Sequence, residues 1–103
     1  AWWYQKAAEQ NHASAQNNLG LMYAQGRGVE QNDKKAVEWY QKAAEKGNVS
    51  AQFNLGFMYE NMRGVSKDYT ILEVRNMAEN WYRRAANQGD LDAKERLRLL
   101  GEY

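Results

Sequence analysis

The segment WYQKAAE at residues 39–45 decides the fold, because it is one copy of a repeated unit. It occurs earlier as WYQKAAE at residues 3–9 and returns in weaker form as WYRRAA at residues 81–86. A second segment follows in fixed order, AQNNLGLMY at residues 15–23 and AQFNLGFMY at residues 51–59. Offsets of 36 and then 42 residues between the tryptophan segments are typical of chains that stack one supersecondary unit on the next.

Both segments have the periodicity of an amphipathic helix. With residues placed about 100° apart, the unit around the second tryptophan segment has one apolar face, made by Ala36, Trp39, Tyr40, Ala43 and Ala44. The other segment carries a similar stripe, made by Ala15, Leu19, Met22 and Tyr23. Two helices of different type therefore alternate along the chain.

Residues with capping chemistry flank these helices. Asn32 and Asp68 stand where an N-cap side chain accepts the first free backbone N–H groups, and Asp90 falls at the start of a later helix. Gly47 and Gly89 can adopt the left-handed conformation that ends a helix. The residues that end one helix stand close in sequence to those that start the next, as Gly89 and Asp90 do, so the links between helices are short. Short links make neighbouring helices antiparallel.

The repeated pair predicts an all-α fold, an α/α superhelical solenoid of antiparallel helix pairs. Gly20 and Gly56 occupy the same position in both copies, inside helices where glycine costs about 1 kcal/mol relative to alanine. We expect a close approach between helices to require them. The absence of proline leaves the helices unbroken.

The pattern Leu19-Gly20-x-x-Tyr23 resembles the tetratricopeptide repeat, but Gln16 stands where that pattern has tryptophan, and the unit is longer than 34 residues. The loop sequences GRGV at residues 26–29 and MRGV at residues 62–65, ahead of the tryptophan helices, closely resemble the Sel1-like repeat. This resemblance implies a tetratricopeptide-like solenoid and a protein-binding adaptor or scaffold. A subset of that family carries a disulfide in each repeat, whereas this chain has no cysteine.

The loop has its own physical interpretation. Gly28 and Gly64 can take positive φ at the turn, and Val29 and Val65 supply an apolar plug beneath it. The arginines of the two loops, Arg27 and Arg63, are expected to be solvated or to bond loop carbonyls rather than to bind a ligand.

We expect a single domain over residues 1–103. It divides into a partial repeat helix at 1–12, a repeat at 13–47, a second repeat at 48–89 with a six-residue insertion, and a C-terminal capping helix at 90–103. Arg98 replaces the glycine of the earlier copies, which favours a terminal cap with a natural end near Tyr103 and with further repeats upstream.

The insertion between residues 66 and 77 allows two interpretations. Ile71, Val74, Ala78 and Tyr82 share one helical face, which predicts a lengthened helix from about Tyr69 to Asn87. A longer loop is the alternative, because the residues around Thr70 favour extended structure. Leu72 lies on the outer side, where it either forms a contact surface or packs against its own repeat.

Composition excludes several kinds of chemistry. The 103 residues include no cysteine, and His12, at the start of a helix, is the only histidine, which suits a surface or capping role. We therefore predict no enzyme, no metal site and no cofactor. A net charge of +1 disfavours nucleic acid. A mean hydropathy of −0.92 predicts a soluble domain without membrane insertion and leaves the compartment open between cytoplasm, periplasm and secretion.

The aromatic pairs of the repeated segment invite two interpretations, base stacking or core packing. Their spacing on apolar helix faces favours the core. The residues expected there are Trp3, Tyr4, Trp39, Tyr40, Trp81 and Tyr82.

A partner surface is expected where the copies differ on an exposed face. Asn17, Phe53 and Glu95 occupy one position and change character, whereas the apolar set Leu21, Phe57 and Leu99 indicates packing between repeats. The amides of Asn18 and Asn54 are suited to a partner's extended backbone or to their own loops. By analogy with other helical-pair solenoids this helix type lines the concave side. The predicted partner groove consists of Asn17, Asn18, Phe53, Asn54 and Glu60.

The sequence thus predicts a non-enzymatic adaptor that presents a concave helical surface to a protein or peptide. The alternative is a self-associating structural module, a homodimer or an element swap, formed through the apolar side of the first helix and Trp2.

Overall fold

Helices make up all the regular structure of the computed structural model, which describes residues 2–10 and 12–101. They are α1 (Trp2–Glu9), α2 (Ala13–Gln25), α3 (Asp33–Glu45), α4 (Val49–Glu60), α5 (Ile71–Asn87) and α6 (Leu91–Leu99). The described ranges contain no strand, and the all-α prediction is confirmed.

Each helix packs against the next one along the chain. We call α2, α4 and α6 the A helices and α1, α3 and α5 the B helices. The array measures 41 × 30 × 19 Å, the elongated and thin shape expected when helix pairs stack in one direction. The predicted solenoid is therefore confirmed.

Most of the predicted caps are in place. Asn32 accepts a hydrogen bond from the backbone N–H of Lys35 at 3.0 Å, and Asp90 caps α6 in the same way. Gly47 and Gly89 have φ of 94° and 95°, as predicted for residues that end a helix.

The N-cap predicted at Asp68 is wrong. Helix α5 begins at Ile71 and is capped by Thr70, whose hydroxyl accepts from the backbone N–H of Glu73 while the Glu73 carboxylate accepts from the N–H of Thr70. This reciprocal pair satisfies two free donors, and an isolated aspartate satisfies only one. His12 occupies the N-cap position of α2 without a side-chain cap bond.

Matched leucines form the centre of the core. Leu19, Leu55 and Leu97 hold the same position in the three A helices and are fully buried. Tyr40 and Tyr82, from the B helices, are buried beside them as predicted, and the side chain of Tyr4 lies outside the described residues.

Gly20 and Gly56 allow the A and B helices to approach each other. A Cβ at Gly20 would lie 2.6 Å from Cδ1 of Tyr40, and a Cβ at Gly56 would lie 2.9 Å from Cδ1 of Tyr82. Carbon atoms normally contact at about 3.5–4.0 Å, so a methyl group does not fit at either position. The expected close approach is confirmed.

The prediction that the tryptophans belong to the core is wrong for Trp3, which is 77% exposed, and only half right for the others. Trp39 and Trp81 are half-buried and lie under cations, with the Lys42 Nζ 4.6 Å and the Arg84 Cζ 4.5 Å from the ring centroids. The tyrosine next to each of these two tryptophans takes the space that the facing glycine leaves. The indole is turned about 100° away, to the edge of the interface.

The glycine-valine loops behave as predicted at the backbone. Gly28 and Gly64 have φ of 75° and 70°. A Cβ at Gly64 would also collide with the carbonyl group of Asp33, so both conformation and space require glycine there. Val65 is half-buried against the main core, and Val29 is half-buried.

The two loop arginines differ in their surroundings. Arg63 donates to the carbonyl oxygen of Ala24 at 2.9 Å and to both carboxylate oxygens of Asp33 at 2.7 and 3.2 Å. These bonds tie the second loop to the first repeat. Arg27 is exposed, with one long bond of 3.5 Å to Gln25.

The insertion lengthens a helix. Helix α5 has 17 residues against 13 in α3, which confirms the lengthened helix, although it begins at Ile71 and not at Tyr69. Ile71 lies outside the buried face of this helix, and Leu72 is 67% exposed. The prediction that Leu72 packs against its own repeat is therefore wrong.

Arg98, which replaces the glycine of the earlier copies, is exposed and forms an ion pair with Glu95 of the same helix. Tyr103 lies outside the described residues, so the predicted C-terminus stays a prediction, as do the boundaries of the repeats.

Candidate protein-binding face

The A helices carry the residues that the sequence assigns to a partner. Asn17 and Asn18 lie in α2, Phe53 and Asn54 lie in α4, and Glu60 ends α4. All five are half-buried, so each has a part that faces solvent and a part that touches the array.

Two of these amides meet across neighbouring repeats. The Asn54 Nδ2 donates to the Asn17 Oδ1 at 3.0 Å and joins α4 to α2. Within the described ranges the Asn17 Nδ2 and the Asn54 Oδ1 make no hydrogen bond. The pair thus keeps one amide donor and one amide acceptor, the groups that bond the C=O and N–H of a peptide backbone.

Aromatic side chains continue this surface along α4. The Phe53 ring lies 5.4 Å from the Tyr82 ring, between centroids, and packs against the core. Phe57 stacks with Phe53 at 6.4 Å and is 41% exposed. One aromatic side chain is therefore anchored and the next is accessible.

The prediction that Leu21, Phe57 and Leu99 pack between repeats is wrong for the last two. Phe57 and Leu99 are exposed, and Leu21 is half-buried. Sequence reasoning consequently missed Phe57 as a surface residue. The signal was present, because a residue four positions after Phe53 shares its helix face.

Glu60 is engaged within the fold. Its Oε1 accepts a hydrogen bond of 2.7 Å from the Tyr82 hydroxyl, and Arg96 forms an ion pair with its carboxylate. Burial raises the pKa of the Glu60 carboxyl, but the hydrogen bonds from Arg96 and Tyr82 outweigh burial and leave that pKa below its ordinary value. The Glu60 carboxylate therefore links α4 to α5 and α6.

In residues 2–10 and 12–101 no group of three or more His, Cys, Asp or Glu side chains has the arrangement of a metal site. No helix in those same ranges has the length and apolar character needed to cross a membrane.

The comparisons with known proteins agree on one family. The family model described as Sel1 repeat matches residues 1–12, 13–48 and 49–90. No curated protein matches the chain significantly.

Solved structures give the same result. A Sel1 repeat protein from Oxalobacter formigenes is 43% identical, with a TM-score of 0.82, over 93% of this chain and 68% of that one. The protective antigen c5321 of uropathogenic Escherichia coli, which displays an SLR fold, is 39% identical, with a TM-score of 0.83, over 92% of this chain. Cysteine rich protein B of Helicobacter pylori is 26% identical, with a TM-score of 0.79, over 91% of this chain.

This chain spans only 19% of the Escherichia coli antigen and 66% of the Helicobacter pylori protein. Repeat proteins of this kind are typically protein-interaction modules that act as scaffolds or adaptors.

Proposed function

Because the chain belongs to the Sel1 repeat family, we propose that it is a non-enzymatic adaptor that binds an extended segment of a partner protein on its A helices. The contact surface, here called the A face, consists of Asn17, Asn18, Phe53, Asn54 and Glu60, extended by Phe57. By analogy with other helical-pair solenoids this is the concave side of the array.

The paired amides of Asn17 and Asn54 are the observation that carries this proposal. Their mutual bond holds both side chains in place, so little conformational entropy is lost when a peptide backbone bonds the remaining donor and acceptor. A backbone contact of this kind tolerates many sequences. Selectivity then falls to the side chains around the amides.

Phe53 and Phe57 supply an apolar contact for one partner side chain. Phe53 is held by Tyr82, and Phe57 stacks on Phe53 with part of its ring open. Preorganised aromatic residues of this kind dominate the affinity of many interfaces. In this arrangement Glu60 acts through Arg96, which it holds beside the edge of the A face.

The test is a selection of random peptides on the immobilised chain, followed by affinity measurements with the best binder. Asn54→Ala is expected to weaken binding about fivefold and Phe57→Ser about tenfold or more. Leu72→Ser, which removes an exposed apolar side chain on α5, is the control and should leave the affinity unchanged.

Phe57 is a cleaner probe than Phe53. Alanine at Phe53 also removes a contact with the buried Tyr82, so that variant is expected to lower the melting temperature. Peptides that bind all the A-face variants as tightly as the wild type would contradict the proposal. A mass that rises with concentration in light scattering, without peptide, would favour the self-associating alternative.

A further inference from the structure

Two buried glutamines occupy matched positions in the first two A helices. Gln16 is 1% exposed and Gln52 is 4% exposed. The Nε2 of each donates to a backbone carbonyl eight residues earlier, that of Ala8 at 3.1 Å and that of Ala44 at 3.2 Å. The carbonyl needs a donor, so these bonds fix which end of each amide points away from it.

The outward ends of the two amides differ. The Gln52 Oε1 accepts a hydrogen bond of 2.9 Å from the Nε2 of Gln88, which caps the end of α5. The residue that matches Gln88 in the preceding B helix is Lys46. In the described ranges the Gln16 Oε1 is buried and has no hydrogen-bond partner. A buried acceptor without a partner is costly, and folded proteins rarely keep one.

Gln16 lies at the wall of an open pocket of about 470 Å³ between α1, α2 and α3. The indole of Trp39 forms one side, and the rim carries Lys42, Glu45 and Lys46. None of the A-face residues lines this pocket. Acidic and basic side chains both stand at the rim, which suits a neutral polar ligand better than a charged one.

We propose that this pocket binds a primary carboxamide, the side chain of a glutamine or asparagine presented by another protein. Its N–H donates to the Gln16 Oε1 as Gln88 donates to Gln52 in the next repeat. The exposed Lys46, which matches Gln88 in sequence, moves aside, and Lys42 donates to the carbonyl oxygen of the ligand. Binding gives the Gln16 Oε1 the hydrogen bond that it lacks, so the pocket should prefer ligands that carry an N–H donor.

The test uses the whole chain and two probes of nearly equal size, N-acetyl-glutamine methylamide and its analogue with a dimethylated side-chain amide. Two-dimensional nitrogen-proton NMR spectra follow the side-chain amide of Gln16 and the indole of Trp39 during titration. The primary amide is expected to shift both signals with a saturable millimolar dissociation constant. The side-chain amide of the dimethylated analogue cannot donate, so this analogue is expected to bind about tenfold more weakly.

Lys46→Gln supplies the missing donor from within the chain, as Gln88 does. This variant is expected to lose binding of the primary amide by about tenfold and to melt at a higher temperature than Lys46→Met. Lys46→Met removes the same charge without a donor, so it keeps the wild-type response. Equal shifts with both probes, no shift at Gln16, or unchanged binding in Lys46→Gln would each overturn the proposal. Binding to the A face is unaffected by any of these outcomes.

Discussion

Replacing Gly56 with alanine is expected to destabilise this protein, although alanine is the better helix former by about 1 kcal/mol. The new Cβ would lie 2.9 Å from Cδ1 and from Cε1 of Tyr82, and 3.2 Å from the carbonyl oxygen of Ala78. The tyrosine ring has no free space to retreat into, because it is fully buried and its hydroxyl is bonded to Glu60 at 2.7 Å.

The size of the effect follows from these contacts. Overpacking of this kind costs about 1–3 kcal/mol. Displacement of the ring would instead weaken a hydrogen bond to a carboxylate, worth about 1.5–3 kcal/mol. After subtraction of the helix propensity gained, about 1 kcal/mol, the free energy of unfolding should fall by up to about 2 kcal/mol. The melting temperature should then fall by up to roughly 15 °C.

Urea denaturation followed by far-ultraviolet circular dichroism measures this change, provided that the slope of the transition stays constant. The control places the same substitution in a Tyr82→Phe background, where the ring has lost its hydroxyl anchor and can move. There we expect the cost of Gly56→Ala to be about 1 kcal/mol smaller. A higher urea midpoint for Gly56→Ala in the wild-type background would refute the close helix approach.

Further predictions concern the ties between elements. The folded pKa of Glu60 is lowered, so its contribution is present above the unfolded pKa of about 4.3 and is lost as the pH falls through the folded pKa. Glu60→Gln should cost about 1–2 kcal/mol near neutral pH, and urea titrations at about pH 3 should show a smaller difference from wild type. Thr70→Ala should cost about 1 kcal/mol in thermal unfolding, whereas Asp68→Ala should stay within about 0.5 kcal/mol. Arg63→Met should cost about 1–2 kcal/mol in urea titrations, and the matched Arg27→Met should be nearly neutral.

Much of the fold was predictable because local signals agreed with one another. The two periodic segments, the caps at Asn32 and Asp90, and the paired glycines Gly20 and Gly56 all pointed to stacked antiparallel helices. The sequence also indicated that the inserted residues lengthen α5. The cap at Thr70 was missed, because a capping box depends on Glu73 as well as on the cap residue.

How deeply each side chain is buried was harder to predict than which face of a helix is apolar. The sequence placed Tyr40 and Trp39 on one apolar face of α3, yet only the tyrosine is buried and the indole lies at the edge of that face. A helical wheel gives the angle of a side chain and not the space opposite it. That space is set by the glycine of the facing helix, which becomes known only when the helices are packed.

The contacts within the candidate site were harder still to predict, because they depend on how one repeat is aligned against the next. The bond between Asn17 and Asn54 joins residues 37 positions apart, and the ion pair between Glu60 and Arg96 joins residues 36 positions apart. Both require the offset of one repeat against the next. Comparison of aligned positions could identify the variable face, but it could not show which polar atoms were already bonded.

The most direct test of the adaptor proposal is the NMR spectrum of the isotope-labelled chain during titration with a peptide selected for binding. We predict that the largest shifts belong to the side-chain amides of Asn17 and Asn54 and to the backbone around Phe57. Shifts confined to the B helices, with these signals unmoved at saturation, would contradict the assignment of the A face as the protein-binding surface.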